Sequence, residues 1–206
     1  VASAERYYLT SGRPWERAAL LRARPIAGDL ALGASLLEAL RPFVYRADVD
    51  PAVVSDIAAM LQRARRELLR DDARDLKLGR GGIREVEFLV QSLQLVWGGA
   101  HPQLQVPGTL AALHRLHALG LVSHREASAL DDAWALLRRV EHRVQVMTPY
   151  ATHALPAAPA RLDALARSLG YDRGDALQLA AHGIDTTSLA AAAAPRERRR
   201  VARVAR

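Results

Sequence analysis

The stretch KLGRGGIREVEFLVQSLQLVWGG, Lys77 to Gly99, decides the fold. It opens with three glycines in four positions, which no helix or strand interior accommodates cheaply. From Ile83 onward it turns apolar with a helical period. Steps of 100° place Ile83, Val86, Leu89, Val90, Leu93, Val96 and Trp97 on one broad arc, with Phe88 and Leu95 on the opposite side. Between them runs a narrow polar stripe of Arg84, Glu87, Gln91 and Gln94. A helix with apolar residues on both flanks is buried, so its charges must be paired or must line a cleft. Arg84 with Glu87 is the natural local pair, and a cleft role stands beside it. Glu85 falls elsewhere, next to Ser92, so the two glutamates cannot work as a close pair.

Outward from this helix the chain reads as helices throughout. Half of the 206 residues are hydrophobic but only 5% are aromatic, and Ala and Leu dominate, which favours helix over strand. Residues 2 to 10 are helical. Pro14 opens PWERAALLRAR at a first-turn position, a charged helix whose Trp15 is expected in the core. Asp29 caps LALGASLLEALRPF, and Pro42 is expected to end it. Asp50 caps a helix that starts at Pro51 and has Val53, Ile57, Met60 and Leu61 at helical spacing. Further helices are expected over about 82–97, 108–119 and 123–147, then a turn and a short helix within 153–171. The one candidate strand is a short piece around Leu76 and Leu78. After Gly183 the sequence becomes Ala-rich and then Arg-rich, with little to bury, and disorder is expected there.

Charge and composition remove several classes. Net charge is +7, and residues 184–206 hold six arginines against Asp185 and Glu197. The body is therefore only mildly basic, which argues against a nucleic-acid binder with a basic folded face. There is no cysteine, hence no disulfide and no thiolate metal site, and a cytoplasmic setting fits. No apolar run reaches the ~20 residues that span a bilayer. VASAERYYLTSG lacks the apolar core of a signal peptide and reads like the middle of a helix, so a fragment is expected. Of 29 basic residues 28 are arginine, and Lys77 is the single lysine. A lysine retained against that bias marks a place for a compact ammonium rather than a guanidinium fork.

The glycine segment by itself admits two readings. Free N–H groups at a helix start, with Lys77 and Arg84 on either side, suit a phosphate. A glycine hinge with locally paired charges fits equally. The residue order excludes a Walker loop, in which lysine follows the glycines, and no strong strand precedes it as a dinucleotide fingerprint requires. Elsewhere, Asp48 and Asp50 resemble a metal-binding Asp-x-Asp, but the preceding Gly and Ser lie inside a helix and Asp50 reads as a cap. His114 and His117 lack the carboxylate of a zinc site, and EHRVQ lacks the second histidine of a zincin. No metal site is expected.

Four ordered segments together resemble one family: GRPWERAALLRARPIAGD (12–29), LRPFVYRADVD (40–50), KLGRGGIREVEFLVQSLQLVWGG (77–99), and LRRVEHRVQ (137–145) followed by THALP (152–156). They look like the bifunctional glutamine synthetase adenylyltransferase/adenylyl-removing enzyme, over about residues 5–172. The resemblance implies two similar halves, each a polymerase-β-like nucleotidyltransferase domain with a helical bundle. One half attaches AMP from ATP to a tyrosine of glutamine synthetase and the other removes it by phosphorolysis. WERAAL and GRGGIREVEF look most like the N-terminal, adenylyl-removing half. It implies a mainly α fold: 1–99 as the C-terminal part of the nucleotidyltransferase domain, 100–183 as helical bundle, and 184–206 as tail. The family's metal-binding acids would lie upstream of Val1, so no catalytic residue is expected here. Mg²⁺ and ATP or ADP serve the intact family enzyme, none is expected to bind this chain tightly, and the chain alone is expected to be inactive. The residues the resemblance places near a phosphate are Lys77, Gly79, Gly81, Gly82 and Arg84. Glu87 and Gln91 support them, with Trp15, Glu16, Arg17 and Arg24 packed nearby. Implied partners are glutamine synthetase and a PII-type signal protein. The alternative is a non-catalytic helical module that docks either of them.

Overall fold

A computed structural model describes residues 1–47, 52–71, 73–148, 152–174, 176–177 and 181. The expected cap at Asp50 and the tail 184–206 lie outside them. Among the described residues the chain forms eight α-helices: α1 (Ala2–Ser11), α2 (Pro14–Leu20), α3 (Leu30–Val44), α4 (Ala52–Leu68), α5 (Ile83–Trp97), α6 (Thr109–Ala118), α7 (His124–Met147) and α8 (Pro159–Ser168). A 3-10 turn at Pro102–Leu104 was not foreseen. No β-strand forms among these residues. The expected strand near Leu76 is a single antiparallel bridge, Asp75 with Ala154. Leu76 N–H donates to the His153 carbonyl (2.9 Å) and Leu155 N–H to that of Arg74 (2.8 Å). The ladder goes no further because the next N–H groups, those of Lys77 and Leu78, donate to Asp75 Oδ1 instead.

Helix ends follow local chemistry. Asp29 Oδ1 accepts the Leu32 N–H at the start of α3 (2.9 Å). Glu16 reaches back to the Arg13 N–H (2.7 Å) at the start of α2. Ser123 and Glu126 form a reciprocal pair at the start of α7: Ser123 N–H donates to Glu126 Oε2 (2.8 Å) and Glu126 N–H to Ser123 Oγ (3.3 Å). Pro42 does not end α3, which runs on to Val44. Proline forfeits one N–H bond, but Leu40, Phe43 and Val44 are 2–5% exposed, and their burial offsets it.

The chain divides into two compact units, residues 1–60 with 90–120, and residues 61–89 with 121–206. In the first, Tyr8 packs on Phe43 with ring centroids 5.3 Å apart, joining α1 to α3. Arg17 is buried at 2% exposure, with its Nε and Nη2 both donating to the Val44 carbonyl (3.1 Å each). Gln94 Nε2 donates to the carbonyls of Leu104 and Val106 (2.8 Å each), fastening the loop after α5.

The second unit is built on a core of Leu76, Ile83, Leu137, Val140, Val144, Leu155, Leu165, Ala166, Leu177 and Ala181, all at 3% exposure or less. It draws on α5, α7, α8 and the segment around Leu155. Leu137→Ala removes a side chain with no exposed area and is expected to cost about 3 kcal/mol, read by urea unfolding.

Candidate functional site

The glycine segment lies in the second unit, between the end of α4 and the start of α5. Its backbone is spoken for from within. Asp75 Oδ1 accepts the N–H groups of Lys77 and Leu78 (2.8 Å each), and the Asp75 carbonyl accepts that of Gly79 (3.0 Å). Gly81 N–H donates to Glu85 Oε2 (2.9 Å). Gly82, Ile83 and Arg84 donate to the carbonyls of Gly79, Leu76 and Lys77 (3.0, 2.9 and 3.0 Å). Two protein carboxylates thus hold the place that the sequence offers to a phosphate.

The glycines serve this knot. Gly81 sits at φ +70°, a left-handed conformation that side chains resist. A Cβ on Gly82 would lie 2.8 Å from the Gly79 carbonyl oxygen and 3.0 Å from those of Leu76 and Lys77. Because the obstacles are backbone, Gly82→Ala is expected to cost about 1–3 kcal/mol of stability in a thermal melt. Within this locked segment the Lys77 side chain is half-buried, and its ammonium makes no hydrogen bond or ion pair among the described residues.

Beside the segment runs a line of alternating charges. Arg84 Nη1 lies 3.3 Å from Glu87 Oε2. Glu87 Oε1 takes a second, shorter bond from Arg138 Nη2 (2.7 Å). Arg138 Nη1 donates to Glu141 Oε2 (2.8 Å), and Glu141 Oε1 meets His153 Nδ1 (3.0 Å). The two glutamates are 2% and 3% exposed, whereas the cations keep about a third of their side chains in solvent. Each arginine also stacks on a ring one turn away on its own helix, Arg84 on Phe88 (5.7 Å) and Arg138 on Trp134 (5.3 Å). His153 closes the circuit, since its carbonyl accepts the Leu76 N–H at the head of the glycine segment. Three segments distant in sequence, 77–99, 137–145 and 152–156, therefore meet in one network.

Of the expected site residues, Lys77, Gly79, Gly81, Gly82, Arg84 and Glu87 fall in this unit. Gln91 is 5% exposed and belongs to the first unit. Trp15, Glu16, Arg17 and Arg24 also belong to the first unit. Trp15 is 52% exposed, which corrects its expected burial: α2 is seven residues long and turns Arg17 and Ala18 inward instead. Glu16 accepts a bond from Tyr7 Oη (3.2 Å), and that carboxylate raises the tyrosine pKa. Arg24 is exposed. Residue-by-residue reading missed Arg65, Arg138, Glu141 and His153. The signal for the last three was the buried Glu87, which one half-exposed arginine does not satisfy.

The carboxylates here do not make a Mg²⁺ site. Asp75, Glu85, Glu87 and Glu141 are each committed to N–H or guanidinium donors, and no group of three or more His, Asp or Glu residues that could hold a metal occurs among the described residues. No described helix is long and apolar enough to cross a membrane.

Two family models match the chain. A family model described as GlnD PII-uridylyltransferase matches residues 55–187, and one described as glutamate-ammonia ligase adenylyltransferase matches residues 1–39. Both descriptions name nucleotidyltransferases, and that is the class. Individual relatives narrow it. Bifunctional glutamine synthetase adenylyltransferase/adenylyl-removing enzymes are similar to the chain in Rhodopseudomonas palustris strain TIE-1 (44% identity over 177 residues, 84% of this chain and 18% of the relative) and Xanthobacter autotrophicus (42% over 183 residues, 87% and 18%). The enzyme of Xanthomonas campestris pv. campestris is 45% identical over 175 residues, 84% of this chain and 19% of the relative. The chain belongs to the glutamine synthetase adenylyltransferase family. It spans about a fifth of the length of these relatives.

Proposed function

We propose that this chain is the helical share of a cytoplasmic enzyme that adds AMP to glutamine synthetase and removes it, acting in the N-terminal, adenylyl-removing half. In this reading residues 1–99 finish a nucleotidyltransferase domain and 100–183 begin the bundle behind it. The observation that carries the reading is Lys77. It is the chain's single lysine, on a segment tied down by its own backbone bonds, with an ammonium that nothing described engages. We assign that ammonium to a phosphate group, either of ATP or ADP or of the inorganic phosphate that takes AMP away. Gly79, Gly81 and Gly82 give the segment its shape, and Arg84, Glu87 and Gln91 hold the helix behind it. Trp15, Glu16 and Arg17 on α2, with Arg24 in the loop after it, support the nucleotidyltransferase part. Mg²⁺ would be held by acids outside this chain, because the carboxylates here are engaged.

The test is a hybrid. The chain's matched residues replace the matching fifth of the Rhodopseudomonas palustris relative, and AMP exchange on glutamine synthetase is followed by mass spectrometry. The hybrid is expected to turn over while the isolated chain transfers no AMP. Turnover by the isolated chain, or a folded but inert hybrid, contradicts the proposal.

Exposed Tyr7, Leu9 and Trp15 on α1 and α2 favour a second reading, in which the chain docks glutamine synthetase or a PII-type signal protein without catalysis. It requires that the isolated chain bind one of them in surface plasmon resonance, with an affinity that Lys77→Ala leaves unchanged.

A further inference from the structure

A lone ammonium is useful to a phosphate only if it is held in place, since lysine has four rotatable bonds and a strongly hydrated head. The Lys77 ammonium makes no hydrogen bond or ion pair among the described residues, so its placement depends on the backbone that bears it. That backbone is gripped from α4. Arg65, in the last turn of that helix, donates Nε–H to the Leu78 carbonyl (2.7 Å) and Nη2–H to the Gly79 carbonyl (3.0 Å). The same Nη2 forms an ion pair with Glu85 Oε1, and the other oxygen of Glu85 holds the Gly81 N–H (2.9 Å). The two side chains are 14% and 12% exposed, so the pair is largely withdrawn from water. One charge pair thus takes both sides of the turn: arginine the carbonyls of residues 78 and 79, glutamate the N–H of residue 81.

We infer that Arg65 is a positioning residue for Lys77: it fixes the Leu78–Gly81 turn so that the neighbouring ammonium faces its phosphate from one place. The inference rests on the phosphate-facing reading of Lys77. The guanidinium spreads these bonds over two nitrogens held in one plane, Nε and Nη2, whereas a lysine at position 65 would offer a single nitrogen on a flexible stem.

The single lysine supplies the probe. Reductive methylation of the 206-residue chain with ¹³C-formaldehyde keeps the charge and labels Lys77 and the N-terminal amine alone. The Lys77 resonance, assigned by its loss in Lys77→Gln, is followed by NMR while inorganic pyrophosphate is added. The wild-type chain is expected to show one narrow Lys77 line that moves saturably with pyrophosphate. In Arg65→Gln the line is expected to shift toward free dimethyl-lysine, and the pyrophosphate affinity to fall at least fivefold, with the far-ultraviolet circular dichroism unchanged. A folded Arg65→Gln chain whose Lys77 line and titration both superimpose on the wild type overturns the inference. If Arg65→Gln fails to fold, Arg65→Lys takes its place under the same criterion, because it keeps a cation beside Glu85 but gives up the two-nitrogen grip on the Leu78 and Gly79 carbonyls. If pyrophosphate moves nothing in the wild type while Arg65→Gln still shifts the free Lys77 line, the phosphate reading fails and the positioning role of Arg65 stands.

Discussion

Arg138→Met is expected to destabilise the second unit by about 3 kcal/mol, more than any other charge removal in the network. The reason is which groups remain behind. Glu87 and Glu141 are nearly without solvent access, and Arg138 joins them with bonds of 2.7 and 2.8 Å. Without it, Glu87 keeps Arg84 at 3.3 Å and Glu141 keeps His153, and two buried acids lose the cation between them. Methionine fills much of the volume but cannot donate. The converse change, Glu87→Gln, leaves two arginines that keep about a third of their surface in water and can rehydrate, so about 1 kcal/mol is expected. Urea unfolding of both variants measures the difference. Equal costs would show that burial of the acids does not govern the network.

Lys77→Ala, placed in the hybrid enzyme, is expected to reduce AMP exchange about a hundredfold, the scale of losing one donor from a developing anion. Stability should stay within about 0.5 kcal/mol, since the ammonium contributes no contact to the fold among the described residues. Lys77→Arg should recover only part of the rate, because a guanidinium presents its charge as a planar fork at greater reach. Full activity in Lys77→Ala would remove this residue from the site and, with it, the observation on which the proposal stands.

The fold was legible where burial and helical period coincide. The arc from Ile83 to Val96 predicted a buried helix, and Val86 and Val90 have no exposed area. The cap at Asp29 is local chemistry and was read directly, whereas the capping pair of Ser123 and Glu126 was not read although both residues stand in the sequence. Pro42 was misread because propensity weighs one lost hydrogen bond, while the burial of Phe43 and Val44 comes from helices elsewhere in the chain. Trp15 was misread for the same reason: only tertiary packing decides which face of a seven-residue helix is covered. The Arg84–Glu87 pair was legible as an i, i+3 contact, but its continuation through Arg138 to His153 spans 66 more residues and leaves no local trace. Arg65 had no signal at all, since its partners are backbone carbonyls, which any sequence supplies.

The most direct test places this chain in each half of a family enzyme in turn. Two hybrids of the Rhodopseudomonas palustris relative carry residues 1–177, one in the N-terminal half and one at the corresponding place in the C-terminal half. Each is given adenylylated glutamine synthetase with inorganic phosphate, and unmodified glutamine synthetase with ATP, and the AMP on the substrate is counted by intact-mass spectrometry. The account predicts that the N-terminal hybrid removes AMP and loses that activity with Lys77→Ala, while the C-terminal hybrid fails to add it. AMP addition by the C-terminal hybrid, with no removal by a folded N-terminal one, would contradict it.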